Sequence, residues 1–111
     1  MANYLLFLYD DPSQWAKLSP DEMQAALEKY MAWGRNAFVR GGERLADDTG
    51  KVIRSENGQG RAADGPYSET KEILGGFYTI EAASYEEAVQ RSLDHPHVLY
   101  GGTIEIRKVW E

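Results

Sequence analysis

Cysteine is absent from the chain. Its absence removes disulfides, thiolate nucleophiles and cysteine-ligated zinc, and leaves no sign of an oxidising compartment. Basic residues are outnumbered: 12 Lys and Arg stand against 18 Asp and Glu, a formal charge of −6. A surface of that sign repels phosphate backbones, and no cluster of bases with interleaved aromatics offsets it. Neither nucleic acid nor an anionic membrane is therefore an expected partner. Long apolar runs are missing too. Tyr4 to Tyr9 is apolar throughout but far shorter than the ~20 residues a spanning helix needs. No basic segment precedes it and no small-residue cleavage pattern follows, so no signal peptide is expected. These absences predict a soluble cytoplasmic protein. The chain also lacks a phosphate-cradling glycine loop, a nucleophile elbow and a zinc-binding helix motif, and no metal or cofactor is expected.

Hydrophobic residues make up 42% and aromatics 12% of 111 residues, enough for one globular domain over residues 1–111 with a core of its own. The run Tyr4 to Tyr9, cut off by Asp10-Asp11-Pro12, reads as a strand buried on both faces. Ser19-Pro20-Asp21-Glu22 is a capping box, with Leu18 and Met23 placed for a hydrophobic staple. Met23, Leu27, Tyr30, Met31, Gly34 and Phe38 then follow at helical spacing, and Gly41-Gly42 supplies a left-handed stop. Glu43 to Leu45 suggests a short strand. Lys51 to Arg54 and Arg61 to Ala63 flank Asn57-Gly58, a strong hairpin signal. Gly75 to Ala82 reads as a strand, and Ser84 to Glu87 as a second capping box. Asp94-His95-Pro96 ends that helix, and Thr103 to Trp110 is the last strand.

Strand, capped helix and strand occur twice in this order. The arrangement predicts an α+β fold, a ferredoxin-like split βαβ sheet with two helices on one face. Two helices leave the other sheet face bare. Because the strands carry apolar residues on both faces, a second copy is expected to cover it, making a homodimer.

The stretch Asp64-Gly65-Pro66-Tyr67-Ser68-Glu69-Thr70-Lys71-Glu72 concentrates ionisable groups around a Gly-Pro corner. Asp64 suits a general base or a group that fixes a ligand's polar atom; equally, it suits an Asx turn bonded to nearby amides. If Ser68 to Ile73 makes a helical turn, Glu69 and Glu72 fall on one side, where two carboxylates raise one pKa for acid–base work. Lys71 would pair with Asp64 or bind an anion. The plainer alternative is a solvated charged turn. His95 and His97 flank Pro96, a weak metal cue without a third ligand, and a helix-terminal imidazole accounts for them as well. Asp10 and Asp11 end a buried strand, a common place for functional residues and an ordinary strand stop. Trp15, Trp33, Tyr67, Tyr78, Tyr100 and Trp110 offer aromatic surface to a pocket, a core or an interface.

Asp64-Gly65-Pro66-Tyr67, Glu69, Lys71-Glu72, Leu74-Gly75-Gly76-Phe77-Tyr78 and Tyr100 to Arg107 together resemble the DGPF-type branch of the YCII-related domain family. The resemblance covers nearly the whole chain. It implies a dimeric α+β barrel, members that look like small enzymes or ligand binders, and some that resemble partners of extracytoplasmic-function sigma factors. It also implies, for YCII-type relatives, a His-Asp pair with the histidine on the first helix; this chain has no histidine between Ser19 and Gly42. The expected function is thus that of a small dimeric enzyme or small-molecule binder, working by proton transfer. Asp64, Glu69 and Lys71 are its candidate catalytic residues, and Asp10, Tyr67, Glu72 and His97 its candidate ligand contacts. The alternatives are a non-catalytic regulatory domain beside a sigma factor and a cofactor-free monooxygenase with an enclosed apolar cavity.

Overall fold

A computed structural model of the chain describes residues 1–67 and 70–111. Strand β1 (Ala2–Asp10) lies in a four-stranded sheet with β2 (Val39–Arg44), β5 (Ile73–Ala82) and β6 (Thr103–Lys108), in the order β2-β5-β1-β6. All three pairings are antiparallel. The apolar run that seemed featureless in sequence alternates in space: Tyr4, Leu6 and Leu8 are buried, whereas Leu5 and Phe7 are half-buried on the opposite face.

Helices α2 (Pro20–Gly34) and α3 (Tyr85–Ser92) cover the first of these faces. Trp33 of α2 and Ala88 of α3 join Tyr4, Leu6, Leu8 and Ile80 in one core, flanked by Tyr30, Phe38, Tyr78, Ile104 and Ile106. Each fully buried Leu or Ile here contributes about 1.5–3 kcal/mol. The fold is the ferredoxin-like α+β arrangement the sequence order implied. Short helices α1 (Pro12–Trp15) and α4 (Pro96–Leu99) edge the sheet. No helix among the described residues is long and apolar enough to cross a membrane.

Strands β3 (Lys51–Glu56) and β4 (Gln59–Asp64) form a separate hairpin inserted between β2 and β5. Asn57 (φ 54°) and Gly58 (φ 83°) make its turn, both in the positive-φ region that Asn-Gly tolerates. The hairpin's residues are almost all exposed, and its strands pack on each other rather than on the sheet.

Local signals set most boundaries. The α2 capping box is present in full: Glu22 N–H donates to Ser19 Oγ at 3.1 Å and Ser19 N–H to Glu22 Oε1 at 2.9 Å. At α3 only half of the expected box forms. Glu87 N–H donates to Ser84 Oγ, but Glu87 Oε1 accepts from Ala83 rather than from Ser84. The far end of α2 also differs from expectation. The helix stops at Gly34, where the Asn36 amide donates to the Trp33 carbonyl at 2.8 Å, and Phe38 lies outside it. Gly41-Gly42 does not cap a helix. It sits in β2, beside a bulge, with Gly42 at φ 155°.

Candidate active-site cleft

Between α2 and the sheet lies a cavity of about 450 Å³, within the range of ligand pockets. Gly42 on β2 and Gly75 and Gly76 on β5 line it. In the sheet register Gly76 pairs with Leu8 on one side and Arg44 on the other, so a position flanked by two side chains carries none. Leu8, Leu27 and Met31 make the apolar wall, and Trp15, Tyr30 and Tyr78 the aromatic one. Asp10, Glu43, Arg44, Asp47 and His97 bring the polar chemistry.

The strand end places Asp10 where α1 can meet it. Asp11 caps α1 by accepting from Ser13 N–H at 3.0 Å, and the resulting turn swings Trp15 back over the strand. The Trp15 indole N–H donates to Asp10 Oδ2 at 2.7 Å. The Asp10 carboxylate lies over Gly75, whose missing side chain leaves the room: a Cβ there would stand 3.2 Å from Oδ2.

His95 and His97 begin α4 rather than simply ending the helix before it. His95 is its N-cap, with Nδ1 accepting from His97 N–H at 2.9 Å. Both rings are buried. His97 Nε2 lies 2.7 Å from the Tyr9 carbonyl oxygen, which can only accept. In the uncharged ring Nε2 therefore carries the hydrogen, and Nδ1 accepts from the Tyr30 hydroxyl at 2.6 Å. Gly102 makes room for that ring, since a Cβ at this position would come within 2.2 Å of Nε2.

Burial, and then the nearby Asp10, Tyr78 and Tyr100, push the Tyr30 pKa well up, so its hydroxyl stays protonated. Burial and the neighbouring His97 lower the His95 pKa to about 4. His95 is then uncharged near neutrality; its Nε2, set among the rings of Tyr30, Trp33 and Tyr78, meets no hydrogen-bond partner among the described residues. The cleft thus holds the carboxylate of Asp10, those of Glu43 and Asp47 at its rim, a protonated phenol backed by an imidazole, and the guanidinium of Arg44.

Two of the residues singled out from sequence, Asp10 and His97, meet in this cleft. Trp15 and Tyr78 line it too, whereas Asp64, Tyr67, Lys71 and Glu72 do not. Asp64 ends β4 with its side chain 81% exposed, ion-paired to Lys51, its cross-strand neighbour, and not to Lys71. Such an exposed pair contributes little. Tyr67 is 77% exposed, its ring under the Arg54 guanidinium and its carbonyl accepting from Arg54 at 3.3 Å. Lys71 is exposed; the Asp11 carboxyl, held low mainly by its hydrogen bonds from Ser13, also feels the Lys71 charge. Glu72 is half-buried and accepts from the Thr103 hydroxyl at 2.9 Å. Glu69 lies outside the described residues, and so does the suggested pairing of Glu69 with Glu72. Tyr30 and Arg44 were not anticipated. Tyr30 read as part of a core stripe, and Arg44 had no spacing to mark it; the Gly75-Gly76 pair was the available signal. No group of three metal-ligating side chains forms among the described residues.

Comparison with known proteins agrees with the architecture. An uncharacterised protein of Rhizobium meliloti is 33% identical over 99 residues, covering 82% of this chain and 77% of its own. The 5-chloro-2-hydroxyhydroquinone dehydrochlorinase of Burkholderia phenoliruptrix, solved with 2,5-dihydroxybenzoquinone, is similar in fold. It has a TM-score of 0.50 and 18% identity over 98% of this chain and 93% of that one. The YCII-related domain model matches residues 2–111, and the chain belongs to the YCII-related domain family.

Proposed function

We propose that this protein is a small-molecule-binding enzyme that takes a compact hydroxylated ligand into the α2–sheet cleft and exchanges a proton with it. The observation that carries this is the 2.6 Å contact between the Tyr30 hydroxyl and His97 Nδ1 at the cleft wall. A ligand hydroxyl donating to Tyr30 Oη would pass its proton there as the Tyr30 proton moves to Nδ1. The ligand becomes an oxyanion and His97 an imidazolium, whose Nε2–H is already held by the Tyr9 carbonyl. Asp10, oriented by the Trp15 indole, accepts a second protic group or serves as the alternative base. The similarly folded dehydrochlorinase holds a small hydroxylated ring, and that ligand class suits an aromatic-walled cavity of this size. The Asp64-Gly65-Pro66-Tyr67 spacing supports placement in the DGPF-type branch.

Amide chemical shifts of the labelled protein test the location. Titration with catechol should move Gly75, Gly76 and Tyr30 and leave Asp64 and Lys71 unmoved, with Tyr30→Phe weakening the response. Shifts confined to residues 51–67 and 71 would move the site to the Asp64 corner, where the sequence alone pointed. A second reading, a non-catalytic partner domain of the kind linked to sigma factors, is favoured by the projecting, exposed β3–β4 hairpin. It predicts no catechol response.

A further inference from the structure

We propose that the cleft selects ligands with two unlike polar ends, a hydroxyl at Asp10 and an anionic oxygen at Arg44, joined by a flat apolar body. This rests on the small-molecule reading of the cleft and extends it to a substrate class: small hydroxylated aromatic or enolic acids.

Directly paired residues of an antiparallel sheet share a face. Arg44 pairs with Gly76, and Gly76 with Leu8, so Arg44 lies on the face that α2 covers. Glu43, paired with Phe77, falls on the alternate register position, and both residues still border the cavity. Strands β2 and β1 flank β5, which puts Arg44 and Leu8 two strand spacings apart, roughly 10 Å between backbones. Gly75 and Gly76 leave the middle of that span empty. A single ring with one substituent at each end fits between the Arg44 edge and the Asp10 end.

The charges sort in the same way. The side chains of Arg40, Arg54, Arg61 and Arg91 hold partners; those of Arg35 and Arg107, like Arg44, do not among the described residues, but neither of them lines the cleft. Arg44 lines the cleft with no hydrogen bond or ion pair among the described residues. Asp47 lines the same rim without pairing to it; Arg44 and Asp47 are both exposed, so solvent weakens the pull of the one and the push of the other alike. Asp10, at the far end, already accepts one N–H from Trp15 at Oδ2, and its other carboxylate oxygen has no donor among the described residues. One end of the cleft thus attracts a negative oxygen and the other a hydroxyl hydrogen. A ligand of uniform charge would fit one end and be opposed at the other.

Calorimetric titration of the full chain with 4-hydroxybenzoate, 4-hydroxybenzamide and benzoate tests this. The hydroxy acid should bind roughly ten- to hundredfold tighter than either the neutral amide or the acid lacking the hydroxyl, the span of one charge-assisted hydrogen bond. Arg44→Met should bring hydroxybenzoate and hydroxybenzamide to within about twofold of each other, while Arg44→Lys keeps part of the preference. Unchanged circular dichroism and melting would show that the variant folds. Equal affinity for the acid and its amide in the wild-type protein would overturn the two-ended selection and leave the cleft as a ligand site. So would a preference that survives Arg44→Met. Failure of all three compounds, together with no catechol response, would remove both.

Discussion

Three groups fix the His97 ring: the Tyr30 hydroxyl on Nδ1, the Tyr9 carbonyl on Nε2, and Gly102 beneath it. Tyr30→Phe leaves a buried acceptor without a donor and should cost about 1–3 kcal/mol in urea unfolding. Gly102→Ala should cost a similar amount, because the ring must move to admit a methyl group. His95 makes a different prediction. Its folded pKa, about 4, lies below the ordinary 6.5, so between those values the unfolded chain binds more protons. The His95 share of stability should accordingly fall as pH drops from 6.5 to 4, by up to roughly 3 kcal/mol, and level off below 4. The depressed carboxyls of Glu81, Glu22 and Asp11 begin to lose their own share as pH falls into the ordinary carboxyl range, so total stability keeps dropping there. Protonation at Nδ1 would also expel the His97 N–H it caps. A His95→Asn variant keeps an acceptor for that N–H and cannot titrate, and the His95 share of the slope should be absent across the window.

At the scale of elements, β2 depends on Gly42. Its φ of 155° and a Cβ that would stand 2.4 Å from the Phe77 carbonyl oxygen leave no room for a side chain. Gly42→Ala should cost about 1–3 kcal/mol and raise amide exchange at the β2–β5 edge. The same residue shows where sequence reasoning stops. The start of α2 was legible because a capping box is purely local: Ser19, Pro20 and Glu22 contain all of it. Its end was not, since helical spacing continues through Phe38 and a Gly-Gly pair serves equally as a helix stop or as a strand irregularity. Pairing with β5, a long-range matter, decides between them. The two capped helices on one face and the strands β1, β5 and β6 were legible, whereas the alternation of β1 and the start of β2 at Val39 were not. The cleft followed only in part. Asp10 and His97 were nameable from their places at element ends, whereas Arg44 reaches the cleft through cross-strand register with Gly76. Asp64 looked poised for chemistry because the lysine opposite it, Lys51, is fixed by the hairpin register, which no inspection of the corner itself supplies.

For the whole molecule, the radius of gyration is 15.6 Å, against about 13 Å for a compact chain of this length. The excess fits a flat body, 44 × 42 × 19 Å, with one sheet face uncovered. Leu5, Phe7 and Phe77 are half-buried there, and we propose that a second copy closes over them. Light scattering should then give twice the 12.5 kDa chain mass, and Phe7→Glu should halve it without loss of helix signal. A single-chain mass for the wild type at micromolar concentration would rule out the homodimer. The hairpin has a separate fate. Its root is clasped by the Gly65 N–H donating to the Gly50 carbonyl at 2.9 Å, and none of its residues belongs to the core cluster. Such a limb breathes on its own schedule: residues 51–64 should trade amide protons for deuterons long before β1 or β5 does. Trimming it back to a short tether between 48 and 70 should leave the melting temperature of the body nearly where it was.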